Sequence, residues 1–166
     1  MTAVPMLDAL RRFLNDLSCA SEHDSFAVDD YRVAAAALLV NLVGVDGAVE
    51  ESEKRALHDV LKAHFSLDEA ETASLISAAR RREADSVDLY AFTSVLKRSL
   101  DAEGRAEVIE MMWEIAFADG EAHEIEDNIV WRAADLLGVA DRERIELKRR
   151  IAARRTSSQA RPAETI

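Results

Sequence analysis

Apolar residues recur at spacings of three and four along most of the chain, and this is the spacing of one face of an α-helix. Two segments, residues 31–45 and 108–117, are apolar on almost every side, which is typical of helices in the centre of a bundle. The predicted amphipathic helices cover residues 5–17, 50–64, 66–82, 86–100, 124–137 and 142–155. The pattern therefore predicts an all-α fold, a compact bundle of about seven to eight helices.

Composition supports one helical domain. The 166 residues include only two prolines and five glycines, and 49% of them are apolar. A chain of this length supports one hydrophobic core more readily than two. We therefore predict a single domain over residues 1–155. The last segment, residues 156–166, lacks a periodic apolar face and is predicted to be a disordered tail.

Charge and cysteine content limit the classes of function. The net charge of −11 repels a phosphate backbone, so nucleic acid is not an expected partner. A single cysteine, Cys19, and the absence of an apolar leader favour a reducing, cytoplasmic location. The longest apolar run, residues 33–45, is shorter than the roughly 18 residues that span a bilayer, so no transmembrane segment is expected.

The predicted last helix, residues 142–155, is the basic part of an otherwise acidic chain. From residue 141 onward the chain carries eight Lys or Arg against four Asp or Glu. Cations near a helix C-terminus are ordinary stabilisers, and this interpretation is the favoured one. The alternative is that the helix docks an acidic partner or an anionic membrane surface.

A short acidic motif occurs twice, 73 positions apart. Residues 45–53, VDGAVEESE, align with residues 118–126, ADGEAHEIE, and each segment follows a central apolar helix. Asp46 and Glu53 of the first copy match Asp119 and Glu126 of the second. Two halves of like shape tend to pack about a pseudo-twofold axis, which would bring these four carboxylates together.

Two interpretations of the repeated acids remain open. Converging carboxylates repel one another, and a hard divalent cation with oxygen ligands would relieve that repulsion. The spacing does not fit an EF-hand loop, so a metal site would have to combine both segments. In the other interpretation the acids only cap the backbone and suit the positive ends of helix dipoles.

The sequence resembles the TerB tellurite-resistance family over about residues 30–151. The resemblance rests on AAALLVNLVGVDGAVEESE, SVDLYAFTSVLKRSLD and IEMMWEIAFADGEAHEIEDNIVWRAADLLGV. It implies an all-helical domain that acts in tellurite resistance and chemical stress and is suspected to bind metal through its acidic turns. A related domain occurs beside J-domains in a membrane-anchored co-chaperone. The acidic positions carried over are Asp46, Glu53, Asp119 and Glu126.

Three functions follow in order of preference. The first is a non-catalytic module that binds a divalent ion (Ca, Mg, Mn or Zn) and acts on a protein partner. The sequence is also compatible with a homo-oligomer. The second is a metal-independent helical interaction domain or co-chaperone-like adaptor. The third is a metal-dependent hydrolase, which is disfavoured because the chain has no Gly-rich phosphate loop, nucleophile elbow or catalytic triad spacing.

Overall fold

The computed structural model describes residues 26, 30–44, 50–85, 88–120 and 122–159. These residues form seven α-helices and no strand, as the apolar spacing predicts. The predicted helix over residues 5–17 lies outside the described residues. The helices are α1 (Tyr31–Gly44), α2 (Glu51–His64), α3 (Glu69–Asp85), α4 (Leu89–Ser99), α5 (Ala102–Ala116), α6 (Glu124–Leu137) and α7 (Asp141–Gln159).

Helix α1 lies in the centre of the bundle and packs against the five helices α2 to α6. Its residues from Val33 to Leu39 are all buried, which agrees with the lack of a polar face in the sequence. Four consecutive alanines, Ala34 to Ala37, give this helix small side chains on every side. Because the distance between packed helices depends on the side chains at the contact, several neighbours can approach α1 closely.

Helix α5 is the second central helix, and it packs against α1, α2, α6 and α7. Large aromatic residues among apolar neighbours usually fill the core, which predicts a core position for both tryptophans. Trp113 is fully buried, with its ring 5.9 Å from that of Phe117, and this prediction is confirmed. Trp131, for which the same role was expected, is only partly buried. The Arg144 guanidinium of α7 stacks over its ring, 3.4 Å from the centroid.

Helix α5 begins at Ala102, six residues before the predicted start at residue 108. The sequence Asp101-Ala102-Glu103-Gly104 predicts a break between helices, because glycine is unfavourable within a helix. In the structure this segment is instead the N-cap and the first turn of α5. The Gly104 N–H donates to the Asp101 side chain at 2.8 Å, which caps the helix. A Cβ on Gly104 would lie 3.2 Å from Leu100, so glycine here permits a close approach to the preceding residues.

The N-terminus of α3 is capped two residues later than the sequence suggested. The sequence Ser66-Leu67-Asp68-Glu69 predicts a capping box that begins at Ser66. In the structure Ser66 lies in the turn before the helix, with a positive φ of 52°. The box is instead formed by Asp68 and Glu71, each of which accepts a hydrogen bond from the backbone N–H of the other.

Helix α7 extends to Gln159, four residues beyond the predicted end at residue 155. The first part of the predicted tail, residues 156–159, is therefore helical, and residues 160–166 lie outside the described residues. Lys148 forms an ion pair with Asp127 of α6, and Arg154 forms one with Glu110 of α5 at 3.1 Å. The basic side chains thus help to join α7 to its neighbours.

Candidate functional site

The N-termini of α2 and α6 have the same local geometry. Their N-cap residues, Glu50 and His123, have extended backbones with φ of −78° and −75°. The glutamates three residues later, Glu53 and Glu126, each accept a hydrogen bond from the N-cap backbone N–H at 3.2 Å. Each glutamate therefore satisfies one of the backbone donors that a helix N-terminus leaves open.

Burial distinguishes these two glutamates from the other acids of the same helical turns. Glu53 is only 5% exposed and Glu126 only 4%, whereas Glu51 and Glu124 are exposed. Capping does not require such burial, because the backbone N–H groups at a helix N-terminus can be reached from the surface. Placing a carboxylate away from water is unfavourable unless other groups compensate for the lost hydration.

The pKa of Glu126 is raised above its ordinary value of 4.5. The main cause is burial, and the negative charges of Glu53 and Asp119 raise it further. The hydrogen bond from the His123 backbone N–H acts in the opposite direction but does not outweigh them. The two buried glutamates, 73 positions apart in the sequence, are therefore close enough to repel each other.

Asp119 lies in the turn that joins α5 to α6. The turn is closed by a 2.9 Å hydrogen bond from the Gly120 N–H to the Phe117 carbonyl, and Gly120 has a φ of 105°. Only glycine adopts this backbone without strain, which explains the glycine in the second copy of the motif. The Asp119 carboxylate lies 3.0 Å from His123 Nε2, so an imidazole adjoins the acidic group.

Three of the four acids predicted from the sequence, Glu53, Asp119 and Glu126, thus occupy one region of the structure. Asp46 lies outside the described residues. Within the described part of the chain, no group of three or more His, Cys, Asp or Glu side chains is arranged to hold a metal ion. The contact between His123 and Asp119 was not predicted, because the two residues lie between helices, where i,i+4 spacing does not place side chains together.

Comparison with known proteins identifies the family. The sequence profile of the family described as tellurite resistance protein TerB matches residues 32–149, well over half of the chain. The chain belongs to the TerB family. No curated protein and no solved structure matches the chain significantly.

The TerB match covers α1 from its second residue, all of α2 to α6 and the first nine residues of α7, and it includes both copies of the acidic motif. The region of resemblance expected from the sequence, about residues 30–151, agrees with it closely. Among the helices that the structure describes, none is long and apolar enough to cross a membrane. The pseudo-twofold relation between the two halves stays a prediction, although the capped N-termini of α2 and α6 are alike.

Proposed function

We propose that this TerB domain is a non-catalytic module of tellurite resistance and chemical stress, and that it binds a divalent cation at its acidic turns. Glu53, Asp119 and Glu126 would hold the ion, with Asp46 as the fourth carboxylate suggested by the repeat. One observation carries the proposal: Glu126 is buried beside the like charge of Glu53. A cation between them would replace this repulsion with attraction.

The chemistry of the donors favours a hard cation. Carboxylate oxygens suit Ca²⁺, Mg²⁺ and Mn²⁺, whereas structural zinc sites are built mainly from cysteine and histidine. His123 is the one imidazole at this site among the described residues, and it adjoins Asp119. We therefore expect the preference to run toward oxygen-binding ions, with Zn²⁺ weaker.

A metal at this site would act on protein interactions through the turn between α5 and α6. Asp119 belongs to that turn and Glu126 to the first turn of α6, so one ion would hold these two elements together and join them to Glu53 of α2. Such an ion can change the affinity for a partner only if the partner prefers the metal-bound arrangement. The proposed role is therefore a metal-dependent interaction module.

Thermal unfolding after chelator treatment tests the metal. A ligand that binds only the folded state stabilises it by mass action, by about 2.7 kcal/mol at a concentration of 100 times Kd. Millimolar Ca²⁺, Mg²⁺ or Mn²⁺ should therefore raise the unfolding midpoint. Asp119→Asn, Glu126→Gln and Asp46→Asn should each abolish the shift, whereas Glu124→Gln, an exposed neighbour in the same turn, should keep it. If no ion moves the midpoint of the wild-type protein, the metal site is wrong.

The second candidate is a metal-independent interaction or co-chaperone-like adaptor domain. A specific observation favours it: Glu53 and Glu126 both already serve as capping acceptors for backbone N–H groups. In this alternative the acids are structural, and each substitution changes stability by the same amount with and without metal. The midpoint experiment separates the two candidates because only the first predicts a metal-dependent difference.

A further inference from the structure

A groove of about 470 Å³ runs between helices α5 and α7, away from the acidic turns. Five glutamates and one arginine line it, together with the apolar side chains of Ala102, Ala106 and Leu147. We call it the acidic groove. Ala106 lies ten residues before the end of α5, which is about 15 Å along the helix axis at 1.5 Å per residue. The groove is therefore separate from the proposed metal site.

The charges that face each other across α5 and α7 change along the contact between the helices. The α5 side carries an acidic stripe at helical spacing, made of Glu103, Glu107, Glu110 and Glu114. The α7 side changes from acidic to basic along its length, through Glu143, Glu146, Arg150 and Arg154. Opposite charges therefore meet at the C-terminal end of the contact and like charges at the N-terminal end.

Ion pairs follow this change of sign. Toward the C-terminal end, Glu110 pairs with Arg154 at 3.1 Å and with Arg150 at 3.7 Å. Toward the N-terminal end, Glu103, Glu107 and Glu143 are exposed and form no ion pair with a lysine or arginine within the described part of the chain. The acidic groove opens between these residues, where neither helix supplies a cation to the other.

We infer that the acidic groove binds a cationic amphipathic helix of a partner protein. Lysine or arginine side chains of such a helix would complete the ion pairs that the N-terminal end of the contact lacks. Its apolar side would pack on Ala102 and Ala106, which are exposed or partly exposed and which a simple polycation would leave uncovered. The net charge of −11 also attracts a basic partner at long range.

This inference names a partner class for the interaction module proposed above, but its test does not depend on the metal. The probe is a fluorescent synthetic amphipathic helix with leucines on one face and lysines beside them, titrated with the full chain in chelator. We expect saturable binding that weakens as salt is raised. In the variant E103Q/E107Q/E143Q the Kd should rise about tenfold, as three exposed charge pairs at about 0.5 kcal/mol each would give.

A matched variant controls for net charge. E51Q/D59N/D135N also removes three exposed acids, but from α2 and α6, and it should leave the Kd unchanged. If this variant weakens binding as much as the groove variant, the attraction is a general effect of charge and the groove assignment is wrong. The same conclusion follows if replacing the leucines of the peptide by glutamine leaves its affinity unchanged.

Two further outcomes would show that the acidic groove is occupied by a segment of this chain or by a second copy of it, and would contradict binding of a partner protein. One is tenfold tighter peptide binding by R11Q/R12Q, since these two cations belong to the predicted helix over residues 5–17. The other is a dimer in sedimentation velocity that E103Q/E107Q/E143Q dissociates. The groove variant should keep the metal-induced shift of the unfolding midpoint, so failure of this inference is distinguishable from failure of the metal proposal.

Discussion

Replacing Glu126 by glutamine tests whether the buried acids repel each other. The glutamine carbonyl has the shape of the carboxylate and can still accept the 3.2 Å hydrogen bond from the His123 N–H. What the change removes is the negative charge beside Glu53 and Asp119. We therefore expect Glu126→Gln to raise the free energy of unfolding of the metal-free protein at neutral pH.

The expected gain is the difference between two opposing effects. A hydrogen bond to a charged acceptor contributes about 1.5–3 kcal/mol and one to a neutral acceptor about 0.5–1.5 kcal/mol, so the variant loses about 1 kcal/mol at the cap. The pKa of Glu126 is raised despite that bond, which means that burial and repulsion outweigh it. We expect a net gain of about 0.5–2 kcal/mol, as is common when an unfavourable charge is removed.

The gain should depend on pH in a defined direction. Because the folded-state pKa of Glu126 is raised, the folded protein holds this proton more tightly than the unfolded chain. The wild-type protein therefore loses stability from this group as pH rises from about the ordinary value of 4.5 through the raised pKa. The advantage of Glu126→Gln should be absent below that window and fully developed above it.

Urea unfolding followed by circular dichroism in chelator, from pH 4 to pH 8, measures both effects. Glu124→Gln is the control, because it makes the same chemical change at an exposed position in the same turn. That variant loses only a favourable interaction with the helix dipole and should be less stable by about 0.3–1 kcal/mol. If Glu126→Gln is destabilised as much as Glu124→Gln at neutral pH, the reasoning about buried repulsion is wrong.

Three other predictions concern stability and activity. The hydrogen bond from His64 to Glu114 raises the pKa of His64 above 6.5. The stability that this bond adds is therefore present below pH 6.5 and is lost as pH rises through the raised pKa. Glu114→Gln should remove this pH-dependent stability, of under about 1 kcal/mol, in urea unfolding between about pH 5.5 and 8.5. Gly138→Ala should cost about 1–2 kcal/mol because its φ is +74°, whereas Gly44→Ala, which has equal space but no positive φ, should not destabilise the protein in thermal unfolding. Assays with phosphate esters, peptides and acyl esters should give no turnover above a metal-only control, and turnover abolished by Asp119→Asn would instead support a hydrolase.

The helices were predictable because the apolar residues that recur at spacings of three and four are the ones that the folded helices bury. What the spacing missed is where helices begin. Gly104 suggests a break when propensity alone is considered, yet its missing Cβ allows close approach to Leu100 within the first turn of α5. Ser66 and Asp68 are both good capping residues, and the choice between them depends on the turn geometry after α2, which local pattern does not specify.

The approach of Glu53 to Glu126 was predictable because the motif recurs at corresponding places after two central helices. The contact between Asp119 and His123 was not predictable from the repeat, since the first copy has Glu50 and no histidine at the position equivalent to His123. The acidic groove was also missed. Its two sides come from helices about 40 residues apart, and only their packing shows that Glu107 and Glu143 line the same space.

The capping account explains where Glu126 lies but not why the residue is charged. Glutamine at the third position of a helix completes a capping box as well as glutamate does. Glu124 and Asp127 already place negative charge in the first turn of α6, so the helix dipole does not require a third acid there. A neutral side chain would keep the hydrogen bond and avoid the repulsion from Glu53. Capping alone therefore does not account for glutamate at both equivalent positions, and the cation proposed above supplies a reason for the charge.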